Sequence, residues 1–237
     1  MTQTEPTFRA RARWPEVMDL PELAPGFHAQ ALRGLGRIHR VTGTVGQAVT
    51  PLMQLQARLG RALRVLDLAC GRGDVARAVE ARLRREQPES IVDGVDLSAT
   101  AVALANEAAQ RPGAFRRLDL LQDPLPEGYD AVLCTVFLHH LDEDNVYRVL
   151  RGCAKFSAGC MVDLRPGRWA RIVTRVGVRL LSRSPVVHYD GPASVRSAIE
   201  PAALQEIARA ALAEAHPDVR VQTLSPTRQR LVWGIDG

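Results

Sequence analysis

Lysine is almost missing from this chain of 237 residues: Lys155 is the only one, so nearly all the positive charge is arginine, spread along the sequence. A net charge of +5 raises the question of nucleic acid as a partner. No basic tail and no zinc module accompany the arginines, and aromatics at 5% are too few for a stacking platform. The charge therefore reads as a compositional arginine bias, and no nucleic-acid partner is expected. No uninterrupted apolar run approaches the ~18 residues that a membrane span needs. The N-terminus is polar and has no signal-peptide core, so a cytoplasmic location is expected. Cys70, Cys134, Cys153 and Cys160 form no C-x-x-C pair, which argues for reduced core thiols and against a disulfide frame or a zinc site. No His/Asp/Glu cluster shows ligand spacing along the chain, so no metal is expected.

What is present is a globular composition, with 46% apolar and 24% charged residues. It suits one domain with a full core and a small appendage. The organising stretch is Val65-Leu66-Asp67-Leu68-Ala69-Cys70-Gly71-Arg72-Gly73-Asp74. An apolar strand from Leu63 to Leu68 runs into a glycine turn and then a helix. Gly71 and Gly73 let backbone approach a ligand with no Cβ in the way, and the helix start offers unpaired N–H groups. With Ala76 the loop also fits the relaxed dinucleotide fingerprint, and Asp96 lies at the right distance for a ribose. That makes an NAD(P)-linked reductase one reading. Asp67 weighs against it, because a carboxylate beside the loop repels pyrophosphate but suits a ligand bearing an ammonium and a sulfonium. The sequence also has no Tyr-x-x-x-Lys pair.

The pattern Asp67-x-x-x-Gly71-x-Gly73 resembles motif I of the class I S-adenosylmethionine-dependent methyltransferases, with Ala69 where many members have glycine. The resemblance is specific from Val65 to Leu141 and looser to the C-terminus. It implies S-adenosyl-L-methionine as cofactor and a Rossmann-like α/β fold. That fold has a seven-stranded, mostly parallel sheet with helices on both faces and N-terminal cover helices. By the same resemblance Asp96, with Leu97, takes the ribose hydroxyls. Asp119 and the Leu120 amide meet the adenine, Asp67 acts on the methionine end through backbone amides and water, and Ala69, Gly71, Gly73 and Thr135 also bind the cofactor.

Along the chain, residues 1–13 read as a frayed polar segment. The proline-rich stretch from Trp14 to Phe27 reads as a surface cover. Helices are expected at Ala29–Arg40 and Val45–Leu59, ending at Gly60, and the cover is assigned to residues 1–60 with the cofactor domain at 61–237. Strands and helices then alternate: helix Val75–Arg85, strand Ser90–Val95, helix Ala99–Gln110, strand Phe115–Leu118, strand Tyr129–Thr135, helix Asp142–Cys153, strand Ala158–Val162. Such a rhythm builds a parallel sheet with ligands at the carboxyl ends of its strands. Asp67, Asp96, Asp119 and Asp163 all fall there. A helix Pro201–Ala215 and strands Val219–Leu224 and Arg230–Ile235 complete the sheet.

The segment Phe137-Leu138-His139-His140-Leu141 follows the fourth strand and resembles the same stretch of small-molecule methyltransferases acting on quinones and phenols. A histidine there suits proton removal from an acceptor. His139 is expected to face the pocket and His140 to buttress the following helix. The helix Arg168–Arg183 carries an apolar stripe (Trp169, Ile172, Val173, Val176, Leu180) beside an arginine stripe. It reads either as a membrane-surface helix or as a solvated basic face over a buried apolar stripe, the second being preferred. Residues 182–199 read as an inserted loop closing the pocket, with His188 as a third catalytic candidate. Taken together, the expected function is methyl transfer to a small, fairly apolar phenol, quinone or polyketide-like acceptor. A reductase or a cofactor-binding module without turnover are the alternatives. A base-methylating enzyme is disfavoured because Thr135-Val136-Phe137-Leu138 stands where its Asn/Asp-Pro-Pro-Tyr tetrapeptide would be. Neither the acceptor's identity nor the oligomeric state is legible.

Overall fold

Three of the central strands are apolar on both faces, as strands of a parallel sheet covered by helices must be. In the computed structural model, which describes residues 6–20 and 22–235, β1 (Arg64–Leu68), β4 (Ala131–Thr135) and β5 (Ala158–Leu164) are buried almost throughout. With β2 (Ile91–Asp96), β3 (Phe115–Arg117), β6 (Arg220–Ser225) and β7 (Arg228–Trp233) they form one seven-stranded sheet in the order β3-β2-β1-β4-β5-β7-β6. β1 to β5 run parallel. Only β7 runs against its neighbours β5 and β6. The expected seven-stranded, mostly parallel sheet is therefore the one found.

One face of the sheet is covered by α5 (Glu143–Cys153) and α8 (Pro201–Leu212), whose Val146, Leu150, Ile207 and Leu212 pack on Leu66, Leu68 and Trp233. The other is covered by α2 (Thr44–Leu59) and α3 (Asp74–Leu83), through Val49, Leu52, Val75 and Val79. α4 (Ala99–Glu107) closes the β2–β3 end. Side-chain caps fix several helix starts: Ser98 accepts from Ala101 N–H at 3.2 Å and Asp142 from Asn145 N–H at 2.8 Å, satisfying orphan donors. α2 tolerates Pro51 because the carbonyl that loses its i+4 donor, that of Gln47, accepts instead from Arg230 at 3.0 Å.

Three expectations change. The paired N-terminal helices do not share a role: α1 (Pro25–Val41) lies over the carboxyl edge of the sheet, whereas α2 belongs to its core. Residues 182–199, expected as an inserted loop, are mostly helical, while the helix expected at Arg168–Arg183 is present. α6 (Arg168–Leu181) is followed by α7 (Pro185–Ser197), which Ser184 caps by accepting from Val187 N–H at 3.5 Å and whose N1 position Pro185 occupies. Finally, residues 6–13 are not frayed; residues 1–5 lie outside the described ones. Arg11 donates to Ser197 O (2.7 Å), Glu143 Oε1 (2.9 Å) and Leu141 O (2.6 Å). Arg13 donates to His140 O at 2.6 Å.

Candidate active site

The carboxyl edge of the sheet, roofed by residues 13–20 and 22–42 and walled by α6 and α7, holds a cavity of about 1220 Å³. Its floor is the glycine loop. Ala69, Gly71 and Gly73 all hold positive φ, at 53°, 55° and 71°. For Gly73 the requirement is also steric, since a Cβ would lie 2.6 Å from the Phe115 ring. Ala69 accepts the left-handed conformation at a cost of order 1 kcal/mol, and the turn is kept. Asp96 ties the loop to β2: one carboxylate oxygen accepts from Gly71 N–H and the other from Ser98 N–H, both at 2.8 Å. Each oxygen keeps a further lone pair, and Asp96 lines the cavity. Burial pushes Asp96 above the ordinary carboxylate range, opposed by those two N–H donors.

Asp67 lies beneath this floor, 1% exposed, and neither of its oxygens has a hydrogen-bond partner among the described residues. Burial first, and then the neighbouring Asp96, raise its carboxyl well above the usual value. A buried carboxyl without partners is costly as an anion, and the raised value favours its neutral form. Ala69, Gly71, Asp96, Leu97, Asp119, Leu120 and Thr135 all line the cavity, while Asp67 and Gly73 stand behind it. Asp119 caps its own turn, accepting from Leu121 N–H at 2.9 Å.

Beyond Thr135 the chain turns through Val136, whose φ of 57° is rare for a β-branched residue. A short 3-10 turn, Leu138–His140, then presents two imidazoles whose ring centres are 4.3 Å apart. His139 is buried. Its Nδ1 lies 2.7 Å from Asp163 Oδ1, and its backbone N–H donates to Asp163 Oδ2 at 3.0 Å. The other ring nitrogen, Nε2, lies 3.5 Å from Glu16 Oε1. Burial drives the Asp163 carboxyl up, but His139 beside it outweighs this and holds it below the usual range. His140 is not a helix buttress; it lines the cavity with Nδ1 2.9 Å from Asp19 Oδ2. Burial opposes its charge, but the bond to Asp19 and the field of Glu16 push it up to about 9. His188 is separated from both: its Nε2 meets Ser182 O at 2.7 Å, and it does not line the cavity.

Sequence spacing did not show the acids that meet these rings. Glu16 and Asp19 are more than 100 positions from the histidines. They arrive on an N-terminal strap held by α7, where Asp190 accepts from Val17 and Met18 N–H at 2.8 and 3.1 Å. Ser197 accepts from Trp14 N–H at 2.8 Å, and Arg196 stacks over the Trp14 ring. Glu16, His139 and His140 bring ligand-type atoms within 4.8 Å of one another. No spacing along the chain could reveal such a group.

Strand order, glycine turn and acidic rim together define the class I methyltransferase fold. Residues 65–158 match the model of a family described as a methyltransferase domain. Over 95 residues the chain is 35% identical to 3-hydroxy-5-methyl-1-naphthoate 3-O-methyltransferase of Streptomyces sahachiroi. That stretch is 38% of this chain and 26% of the relative, so the chain spans about a quarter of the length of the curated relative it matches. Among solved structures, the plantazolicin methyltransferase BpumL in complex with SAH superposes with a TM-score of 0.64 at 13% identity. It covers 85% of this chain and 88% of that one. Human N-acetylserotonin methyltransferase in complex with SAM gives 0.61 at 14% identity, covering 89% and 56%.

Proposed function

We propose that this protein transfers a methyl group from S-adenosyl-L-methionine to a ring hydroxyl of a small, largely apolar acceptor. The observation that carries the reading is His139, buried at the end of the cavity next to β4, with Nδ1 committed to Asp163 and Nε2 facing the Glu16 carboxylate at 3.5 Å. When bound, the cofactor supplies an electrophilic methyl on a sulfonium. Gly71, Asp96, Leu97, Asp119 and Leu120 are the residues that would hold its nucleoside end. Asp67, beneath the loop and bonded to no backbone amide among the described residues, would reach the methionine end through water.

Asp163 fixes the His139 tautomer with the proton on Nδ1, leaving Nε2 as the acceptor for the hydroxyl proton. As that proton leaves, negative charge grows on the acceptor oxygen. His140, protonated at neutral pH, stands beside it to stabilise the charge. Displacement at the methyl then depends on proximity and orientation within the cavity. No step assigned to these residues needs a metal. The naphthoate 3-O-methyltransferase relationship supports a phenol-type acceptor, and the cavity's apolar α1 side chains (Leu32, Leu35, Ile38) suit an aromatic or polyketide-like body. The four free thiols suit a reducing compartment such as the cytoplasm.

The test is His139→Gln assayed with a panel of phenols. Turnover should fall roughly 10²- to 10⁴-fold, the usual scale of a general base, while cofactor affinity is retained. Wild-type turnover by H139Q would remove the base from the account.

A further inference from the structure

The apolar stripe of α6 was expected to be buried, and it is not. Trp169 is 70% exposed, Leu180 79% and Val173 56%, and Ile172 and Val176 are also open to solvent. The buried residues of this helix are Ala170 and Val178, on another side. Positions 169, 172, 173, 176 and 180 follow helical spacing, so the five side chains form a continuous strip. Arg168, Arg171, Arg175 and Arg179 form the ridge beside it, all exposed. Between Asp163 and Asp190 the chain carries six arginines, at 165, 168, 171, 175, 179 and 183, and no acid.

We propose that this face docks onto an anionic lipid membrane surface and that a lipophilic acceptor enters the cavity from there. The entry step rests on the methyl-transfer reading; the docking does not. Three features select lipid as the occupant. An exposed apolar strip beside a cationic ridge is the pattern of a helix lying in a membrane interface, where the strip sinks below the headgroups and the guanidinium groups pair with phosphates. Trp169, amphipathic and near the helix start, suits that boundary. A second copy packed face to face would set two arginine ridges together with no acid in this stretch to offset them. The strip also adjoins the cavity, because Val173 is both exposed and part of the cavity wall, with Thr174, Gly177 and Val178 behind it. An apolar molecule leaving the lipid at α6 therefore reaches the cavity without crossing open water.

The experiment is sedimentation of the full chain with vesicles of phosphatidylcholine, with or without phosphatidylglycerol, at low salt. The protein should sediment with the anionic vesicles and much less with the neutral ones. Arg171→Gln, Arg175→Gln and Arg179→Gln together should weaken binding roughly 100-fold, at about fivefold per charge. Trp169→Ser, Ile172→Ser, Val176→Ser and Leu180→Ser together should abolish it. Those four side chains lie outside the cavity wall, so thermal unfolding and S-adenosylmethionine affinity should stay unchanged. Failure of the wild-type chain to bind anionic vesicles would overturn the proposal. So would equal binding by the four-serine variant, or its conversion of a dimer to a monomer without any effect on lipid. Cofactor titration reads the methyltransferase assignment separately, so the two ideas fail independently.

Discussion

Within the His139–His140 pair, neighbouring carboxylates divide the labour. His139 has Asp163 on one nitrogen and Glu16 3.5 Å from the other. His140 is held by Asp19 and carries charge up to about pH 9. Its folded pKa lies above the ordinary value near 6.5. The pairing therefore contributes its full stability below about pH 6.5, and that contribution is lost as pH rises through 9. A shift of this size corresponds to about 3 kcal/mol across the window. Thermal unfolding should therefore fall more steeply between pH 6 and 9.5 in the wild type than in His140→Gln; parallel curves would show that the pairing is not formed. Residues that act through sequence-local geometry, such as Gly71, Gly73 and Asp96, were legible from spacing. Glu16 and Asp19 were not, because nothing within a proline-rich acidic stretch says which carboxylate will reach a distant ring.

The elements that misled were those whose local signals conflict with their tertiary setting. Pro185, Gly191 and Pro192 read as part of an inserted loop, yet they stand in a helix that Ser184 starts and that the N-terminal strap embraces through Asp190 and Ser197. Residues 6–13 read as polar and loose because their arginines had no visible partners. In the fold, Arg11 bridges the strap to α5, α7 and the turn bearing His139. Its loss strands the buried Glu143, so Arg11→Met should cost roughly 2–4 kcal/mol, the scale of breaking a buried pair. Urea unfolding measures this, and an unchanged midpoint would mean that the strap is not structurally coupled to the site. The helices and strands with clean periodicity, from β1 through α5, came out within a few residues of expectation. There, burial and local propensity point the same way.

On the scale of the whole molecule, the fold brings together at one edge what the sequence distributes over most of its length. Five parallel strands deliver the glycine loop, Asp96, Asp119, the histidine turn and Asp163. The N-terminal strap and α1 close over them, and α6 and α7 add the wall that opens toward the exposed arginine-flanked face. The sheet was legible because its apolar strands and glycine turn are local signals. The cavity's roof and walls were not, since they depend on long-range hydrogen bonds that Arg11 and Arg13 donate and Asp190 accepts. The central claim is that this edge is an S-adenosylmethionine site. Calorimetric titration with S-adenosylmethionine, S-adenosylhomocysteine and NADH, on the wild type and on Asp96→Ala, tests it most directly. The account predicts micromolar binding of the first two ligands, none of NADH, and loss of binding in a folded D96A. Binding of NADH alone, or undiminished binding of S-adenosylmethionine by D96A, would contradict it.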